Sequence, residues 1–222
     1  MLGITIGSGK GWKENAKAAA LQMQNMTGIE CLVFDYEEPN IHPVWHKALI
    51  PAVYGHQQHK HFLYFDADIY CIKPWNPQEL IEQYPNKFMA CLDRSEDPYL
   101  LSVCHLLQLD PWKYINAGLY IFGEAQFEMF HEVWKHRFNE IELREQSVIN
   151  QYIKDRWDTV HLLDKKYNRM IWLDQIPEGE LYNNSSLQDD TINIHSSYEQ
   201  GFENDNPLRY TTKLQKFLPR NN

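Results

Sequence analysis

Positive charge is what this sequence most lacks. It carries 21 Lys and Arg against 30 Asp and Glu, a formal net charge of −9. Nucleic acid is thereby excluded as a partner, because the phosphate-neutralising term that dominates such binding is missing. An acidic surplus suits instead a site that holds a divalent cation. Long apolar runs are missing too: none approaches the ~20 residues that cross a bilayer. The first residues lack the charged-then-hydrophobic build of a signal peptide. Cysteine is sparse, and Cys31, Cys71, Cys91 and Cys104 form neither a Cys-x-x-Cys pair nor a cluster. The first three lie in apolar runs, where a free thiol behaves as a small core residue. These absences predict a soluble, reduced, cytoplasmic protein. Any membrane-surface contact is confined to the stretch 209–220, where Arg209, Lys213, Lys216 and Arg220 accompany Leu214, Phe217 and Leu218. We read it as a helix with a solvated basic face.

Aromatic residues, by contrast, are plentiful: seven Trp and thirteen Tyr in 222 residues. Most fill a core, and a surplus at a surface suits carbohydrate, whose flat faces stack on rings. The length fits a single domain spanning 1–222. Leu2–Ile6 reads as a first strand ending in Gly7-Ser8-Gly9-Lys10-Gly11. An Ala-rich helix over 14–26 and a strand over 29–34 complete a βαβ unit, so the sheet starts parallel. A helix is expected over 44–54 and a short buried strand over 62–65. Asn76, Pro77 and Glu79 mark a capped helix start. Strands follow at 87–92 and 115–122, then a helix presenting Phe127, Phe130, Trp134 and Phe138 on one face, and another through Val148, Ile149, Tyr152 and Ile153. Late strands are expected at 159–163 and 191–194, with loop between them.

Chemistry concentrates at Phe62-Leu63-Tyr64-Phe65-Asp66-Ala67-Asp68. A buried apolar strand delivers two carboxylates at its end. If the strand continues, residues two apart face the same way, about 7 Å apart, and both reach one hard cation. An Asx-turn after a strand would serve the same residues without a ligand.

Leu63-Tyr64-Phe65-Asp66-Ala67-Asp68-Ile69 with Lys73-Pro74-Trp75 resembles the metal-motif block of GT-A glycosyltransferases, especially the glycogenin and galactosyltransferase-like family 8. Asn116-Ala117-Gly118-Leu119, Glu145-Gln146-Ser147-Val148-Ile149-Asn150, Tyr167-Asn168 and Ile194-His195 resemble further blocks in the family's order. The resemblance implies an α/β fold of GT-A type, with a mixed, mostly parallel central sheet flanked by helices. It implies a nucleotide-sugar donor, a UDP-sugar, and a glycan, glycoprotein or glycolipid acceptor. Asp66, Asp68 and His195 would hold Mn²⁺ or Mg²⁺, which neutralises the departing diphosphate as a Lewis acid. Thr5, Ile6, Gly7 and Lys10 would receive the nucleotide after the first strand, and Lys47 would either face the donor or be an exposed helix lysine. Asp93 would contact the transferred sugar, Glu145 and Gln146 would face its anomeric carbon, and Asn116 would touch the donor or acceptor; Ala67 would lie at the donor, and Ala117 and Gly118 would allow close backbone approach. Gln146 is a poor nucleophile, which suits front-face substitution. Asp93 or Glu145 would supply the base of an inverting reaction, so the stereochemistry stays open.

One block departs from the family. After the late His, its members carry Gly and a Lys-Pro-Trp run, whereas here Ser196-Ser197-Tyr198-Glu199-Gln200-Gly201-Phe202 follows. Diphosphate stabilisation then falls to Lys10, Lys47 or the cation. Gly7-Ser8-Gly9-Lys10-Gly11 is no Walker loop, since Ile4 stands at the first Gly position and Gly11 at the Ser/Thr position. The histidines at 42, 46, 56, 59 and 61 lack structural-zinc spacing and read as surface residues. Two other functions compete. A haloacid-dehalogenase-like phosphatase also places Asp-x-Asp after an apolar strand, with Asp189-Asp190 as an imitation of its late acidic pair. A non-catalytic nucleotide-sugar binder would share the fold.

Overall fold

The computed structural model describes residues 1–8, 12–36, 38–56, 59–172 and 190–197. Lys10, Asp189 and the stretch 209–220 lie outside them. A six-stranded sheet runs in the order β2-β1-β3-β6-β5-β7, formed by β1 (Leu2–Ile6), β2 (Cys31–Phe34), β3 (His61–Phe65), β5 (Phe88–Leu92), β6 (Ile115–Gly123) and β7 (Val160–Leu162). Only β6 is antiparallel to its neighbours; β1–β2, β1–β3 and β5–β7 pair in parallel. The sheet is mixed and mostly parallel, as expected. A second sheet, β4-β9-β8, joins β4 (Ile69–Cys71), β8 (Arg169–Trp172) and β9 (Asn193–Ser197).

Both faces of the large sheet are covered, which explains why β3 and β6 read as continuous apolar runs rather than alternating ones. Successive side chains still alternate. Phe62, Tyr64, Tyr120 and Phe122 pack on one side against Trp45, Phe130, Val133 and Ile149. Leu63, Phe65, Leu119 and Ile121 pack on the other against Ala19, Met23, Trp75 and Ile81. The helices α1 (Trp12–Thr27), α3 (Pro77–Gln83), α5 (Phe127–Lys135) and α6 (Arg144–Ile153) supply these partners apart from Trp45 and Trp75; α2 (Ile50–Tyr54) adds Ile50 to the first side, while α4 (Pro98–Leu107) packs a smaller cluster. Among the described residues no helix is long and apolar enough to cross a membrane. All four cysteines are free, and burial pushes the thiols of Cys31, Cys71 and Cys91 up to about 12.

Several local expectations need correction. The segment expected as one helix over 44–54 is a 3₁₀ segment, Pro43–Leu49, followed by the short α2. The tighter winding starts where the His42 side chain accepts from the Val44 N–H. Phe138 lies past the end of α5 and is 67% exposed, so the aromatic face ends at Trp134. Part of the region assigned to loop forms β8, which gains its partner only from β9. By contrast, Asn76 caps α3 as expected, accepting from the Gln78 N–H with Pro77 next in line.

One buried amide ties α6 to the sheet. Asn150 accepts from the Ile115 N–H at 2.8 Å and donates to the Ile115 carbonyl at 3.0 Å, so it caps the start of β6 like a missing strand. Asn150→Ala should lower unfolding free energy by about 3 kcal/mol, since two buried backbone groups lose their partners. Urea denaturation checks this, and an unchanged midpoint would show that β6 does not depend on the amide.

Candidate active site

The carboxyl end of β3 is where the functional side chains converge. The strand stops at Phe65, and Asp66-Ala67-Asp68 forms a turn closed by the Ile69 N–H to Asp66 carbonyl bond at 3.0 Å. The two acids therefore approach each other through a turn and not through strand alternation, which corrects the expected geometry. β4 begins at Ile69 and pairs it with His195 of β9, carrying the imidazole back over the turn. One ligand atom each from Asp66, Asp68 and His195 lies within 4.8 Å of the others.

The donor chemistry of this trio fits a divalent cation. His195 Nδ1 meets the Asn168 Oδ1 acceptor at 3.1 Å. That oxygen is identified because the same amide donates through Nδ2 to Asn116 Oδ1. Nδ1 therefore donates to Asn168, and Nε2 faces Asp68 Oδ1 at 3.5 Å. A ring nitrogen beside a carboxylate calls for a proton or a cation between them. Burial, opposed by His195 and reinforced by Asp66, pushes the Asp68 carboxyl up to about 6. An acid so placed gains from a nearby positive ion.

Lys47 is neither exposed nor free to reach a donor. It is 4% exposed on the 3₁₀ segment, and its ammonium donates to Asp66 at 3.0 Å, Glu145 at 2.8 Å and the Ala117 carbonyl at 3.1 Å. All three N–H groups are thus used. Burial alone would lower its pKa, yet the Asp66 and Glu145 charges outweigh it and hold the ammonium above the ordinary lysine range. Tyr64, whose ring lies under the same ammonium, donates its hydroxyl to Asp66. Glu145, expected beside the sugar, is buried at the start of α6 with its carboxylate turned to Lys47. Burial raises its pKa, and Lys47 opposes the rise.

Asp93 is the half-buried acid. It ends β5 and accepts from Gln146 Nε2 at 2.8 Å, Asn116 Nδ2 at 3.2 Å and the Arg94 N–H at 2.7 Å. Ala90 pairs with Tyr120 while Leu92 pairs with Ile115, so β6 steps out of its ladder around Asn116-Ala117-Gly118. The freed Ala117 N–H donates to Gln146 Oε1 instead. Gly118 is required where it stands: a Cβ would sit 2.4 Å from His195 Cε1. The close approach that Gly118 permits is thus to the imidazole. A chain of side chains links Gln146, Asp93, Asn116, Asn168, His195 and Asp68.

An open cleft of about 390 Å³ adjoins the acid turn. Its lining includes Ile6, Ser8, Trp12, Pro43, Val44, Asp66, Ala67, Asp68 and Arg144. Ile6 thus lines it, but Thr5 and Gly7 do not: Gly7 packs beneath the start of α1, where a Cβ would meet Ala16. Thr5 and Ser8 hydroxyls are buried without a hydrogen-bond partner among the described residues. His46 is not a surface residue; it is buried beside Trp134. Asp190 is exposed in a turn. Sequence reasoning missed Tyr64, Ser8, His42 and Arg144 as neighbours of the acids. It placed Asn168 in a motif without foreseeing that it orients His195.

No protein-family model matches the sequence, and neither does any curated protein. Solved structures do match. The first, a glycosyltransferase involved in glycosylation of the major capsid of PBCV-1, aligns with a TM-score of 0.65 at 14% identity over 96% of this chain and 98% of its own. Galactosyltransferase LgtC, solved with donor and acceptor sugar analogues, aligns at 0.57 and 14% over 99% and 98%. GlyE of Streptococcus pneumoniae aligns at 0.61 and 11% over 95% of this chain and 59% of its own. The fold is that of the GT-A glycosyltransferases. A phosphatase of the haloacid dehalogenase type is not favoured. In this GT-A fold the Gly118 position under His195 carries a sharp expectation. If Asp66, Asp68 and His195 hold a cation, Gly118→Ala should weaken Mn²⁺ binding by about 10–100-fold, the usual effect of disturbing a ligand's support. Titration calorimetry checks it; unaltered affinity would mean that His195 is not held for a cation.

Proposed function

We propose that this chain, as a single catalytic domain over 1–222, transfers a sugar from a UDP-sugar to a hydroxyl of a glycan, glycoprotein or glycolipid. The observation that carries this reading is the convergence of Asp66, Asp68 and His195 within 4.8 Å at the edge of the cleft. Those three would hold Mn²⁺ or Mg²⁺. When bound, the cation supplies the Lewis-acid neutralisation that lets a nucleoside diphosphate leave. Imidazole beside two carboxylates suits Mn²⁺ better than Mg²⁺.

The chain's own residues divide the remaining work. Ile6, Trp12, Pro43 and Val44 offer the apolar lining a nucleoside needs. Lys47 holds the side chains of Asp66 and Glu145 in place, and so acts on the site through them. Asp93, half-buried and held in place by Gln146 and Asn116, is the acid left to meet a sugar hydroxyl. Glu145 is committed to Lys47, so the sugar contact expected of it passes to Asp93. Family 8 membership rests on the motif blocks alone.

Incubation with a panel of UDP-sugars and Mn²⁺ tests the reading. At least one should release UDP slowly, Asp68→Asn should abolish release, and p-nitrophenyl phosphate should stay intact. Cation-dependent binding without release would instead describe a sugar-nucleotide binder. Two further substitutions separate the acids. Asp93→Ala should lower kcat by ~10²–10³ with a near-normal melting temperature. Glu145→Ala should cost ~3–5 kcal/mol of stability, because it strands the buried Lys47 charge. The reverse pattern in thermal and kinetic assays would exchange the two roles.

A further inference from the structure

The entry to α6 has a backbone that the sequence does not favour. Leu143 and Arg144 have φ of +56° and +43°, the left-handed region that residues with a Cβ avoid. The other non-glycine residues with positive φ among those described are single: Asn40, Asn86 and Gln108. Two adjacent left-handed residues at the edge of a candidate site persist only when their surroundings hold them there. Here the flanking side chains do so. Leu143 packs against Leu100, Cys104 and Tyr114, while Glu145 is drawn inward to Lys47. Arg144 lies between these two anchors. It is the exposed residue of the three, and its side chain lines the cleft beside Asp66 and Asp68.

Charge gives this placement a meaning. Lys47, the other strong cation in the described lining, has all its donors occupied. His42 also lines the cleft, but burial, Arg144, His46 and Lys47 all lower its pKa and so disfavour a positive charge there. Lys47 and a divalent cation would together balance Asp66, Asp68 and Glu145. Among the described lining residues, the fixed positive charge left to meet a diphosphate beside that cation is then that of Arg144. Arg144 makes no ion pair among the described residues, so its guanidinium is available. A planar fork of N–H donors matches phosphate oxygens in pairs.

We propose that Arg144 binds the diphosphate of the nucleotide donor, and that the left-handed step at Leu143–Arg144 aims it. The assignment rests on the UDP-sugar reading of the cleft and adds to it the residue that recognises the leaving group. Binding of UDP, UMP and uridine in the presence of Mn²⁺, measured by calorimetry, tests it. Arg144→Gln should weaken UDP about tenfold or more, weaken UMP less and leave uridine unchanged. Arg144→Lys should recover part of the UDP affinity. Arg144→Gly should lose UDP affinity while its melting temperature rises, because glycine adopts the left-handed backbone freely. Wild-type UDP binding that Arg144→Gln leaves within twofold overturns this assignment alone. A wild type that binds no UDP overturns the donor reading and this assignment with it.

Discussion

A single buried ammonium organises the site. Lys47 reaches from the 3₁₀ segment to the acid turn after β3, the first turn of α6 and the Ala117 carbonyl of β6. Charges in an interior carry a desolvation cost that only close partners and full hydrogen bonding offset. Here one cation is shared by two carboxylates and saturated by a carbonyl, so the arrangement tolerates little displacement. The consequence is positional. Asp66 is fixed relative to β6, and α6 is fixed relative to both, so the elements that meet at the carboxyl end of β3 share one electrostatic anchor.

Around that anchor, amides do the orienting. Gln146, Asn116 and Asn168 each offer donors on one side and an acceptor on the other, and each uses both. Gln146 donates to Asp93 and accepts from Ala117. Asn116 donates to Asp93 and accepts from Gly118 and Asn168. Asn168 then sets the His195 tautomer. A charged residue in any of these positions would break the alternation of donor and acceptor. Asp93, the acid facing the sugar in our account, and His195 are thereby joined through one continuous chain. β6 contributes to it because it leaves its ladder at Asn116, which turns ladder positions into site positions.

Much of this was legible in the sequence where local chemistry decides the outcome. The apolar run before Asp66, the βαβ start and the Asn76-Pro77 cap needed no tertiary information. What was not legible depends on partners distant in sequence. Lys47 reads as either a donor-facing or an exposed helix lysine, because nothing nearby announces that two acids will bury it. Glu145 looked free for the same reason. Residues 169–172 carry no clear strand pattern, and β8 exists because β9 arrives beside it. The Asp66-Ala67-Asp68 spacing fits strand and turn equally, and the pairing of Ile69 with His195 accompanies the turn. Arg144 was hidden most thoroughly, since an arginine is among the last residues expected in a left-handed backbone.

The central claim is that the acid turn and His195 hold a cation that meets the donor's diphosphate. Pulsed electron paramagnetic resonance of the protein with Mn²⁺ and UDP addresses it directly. The account predicts hyperfine coupling of the manganese to one imidazole nitrogen, lost in His195→Gln, together with ³¹P coupling from UDP. Manganese that binds with neither a nitrogen nor a phosphorus coupling would contradict it.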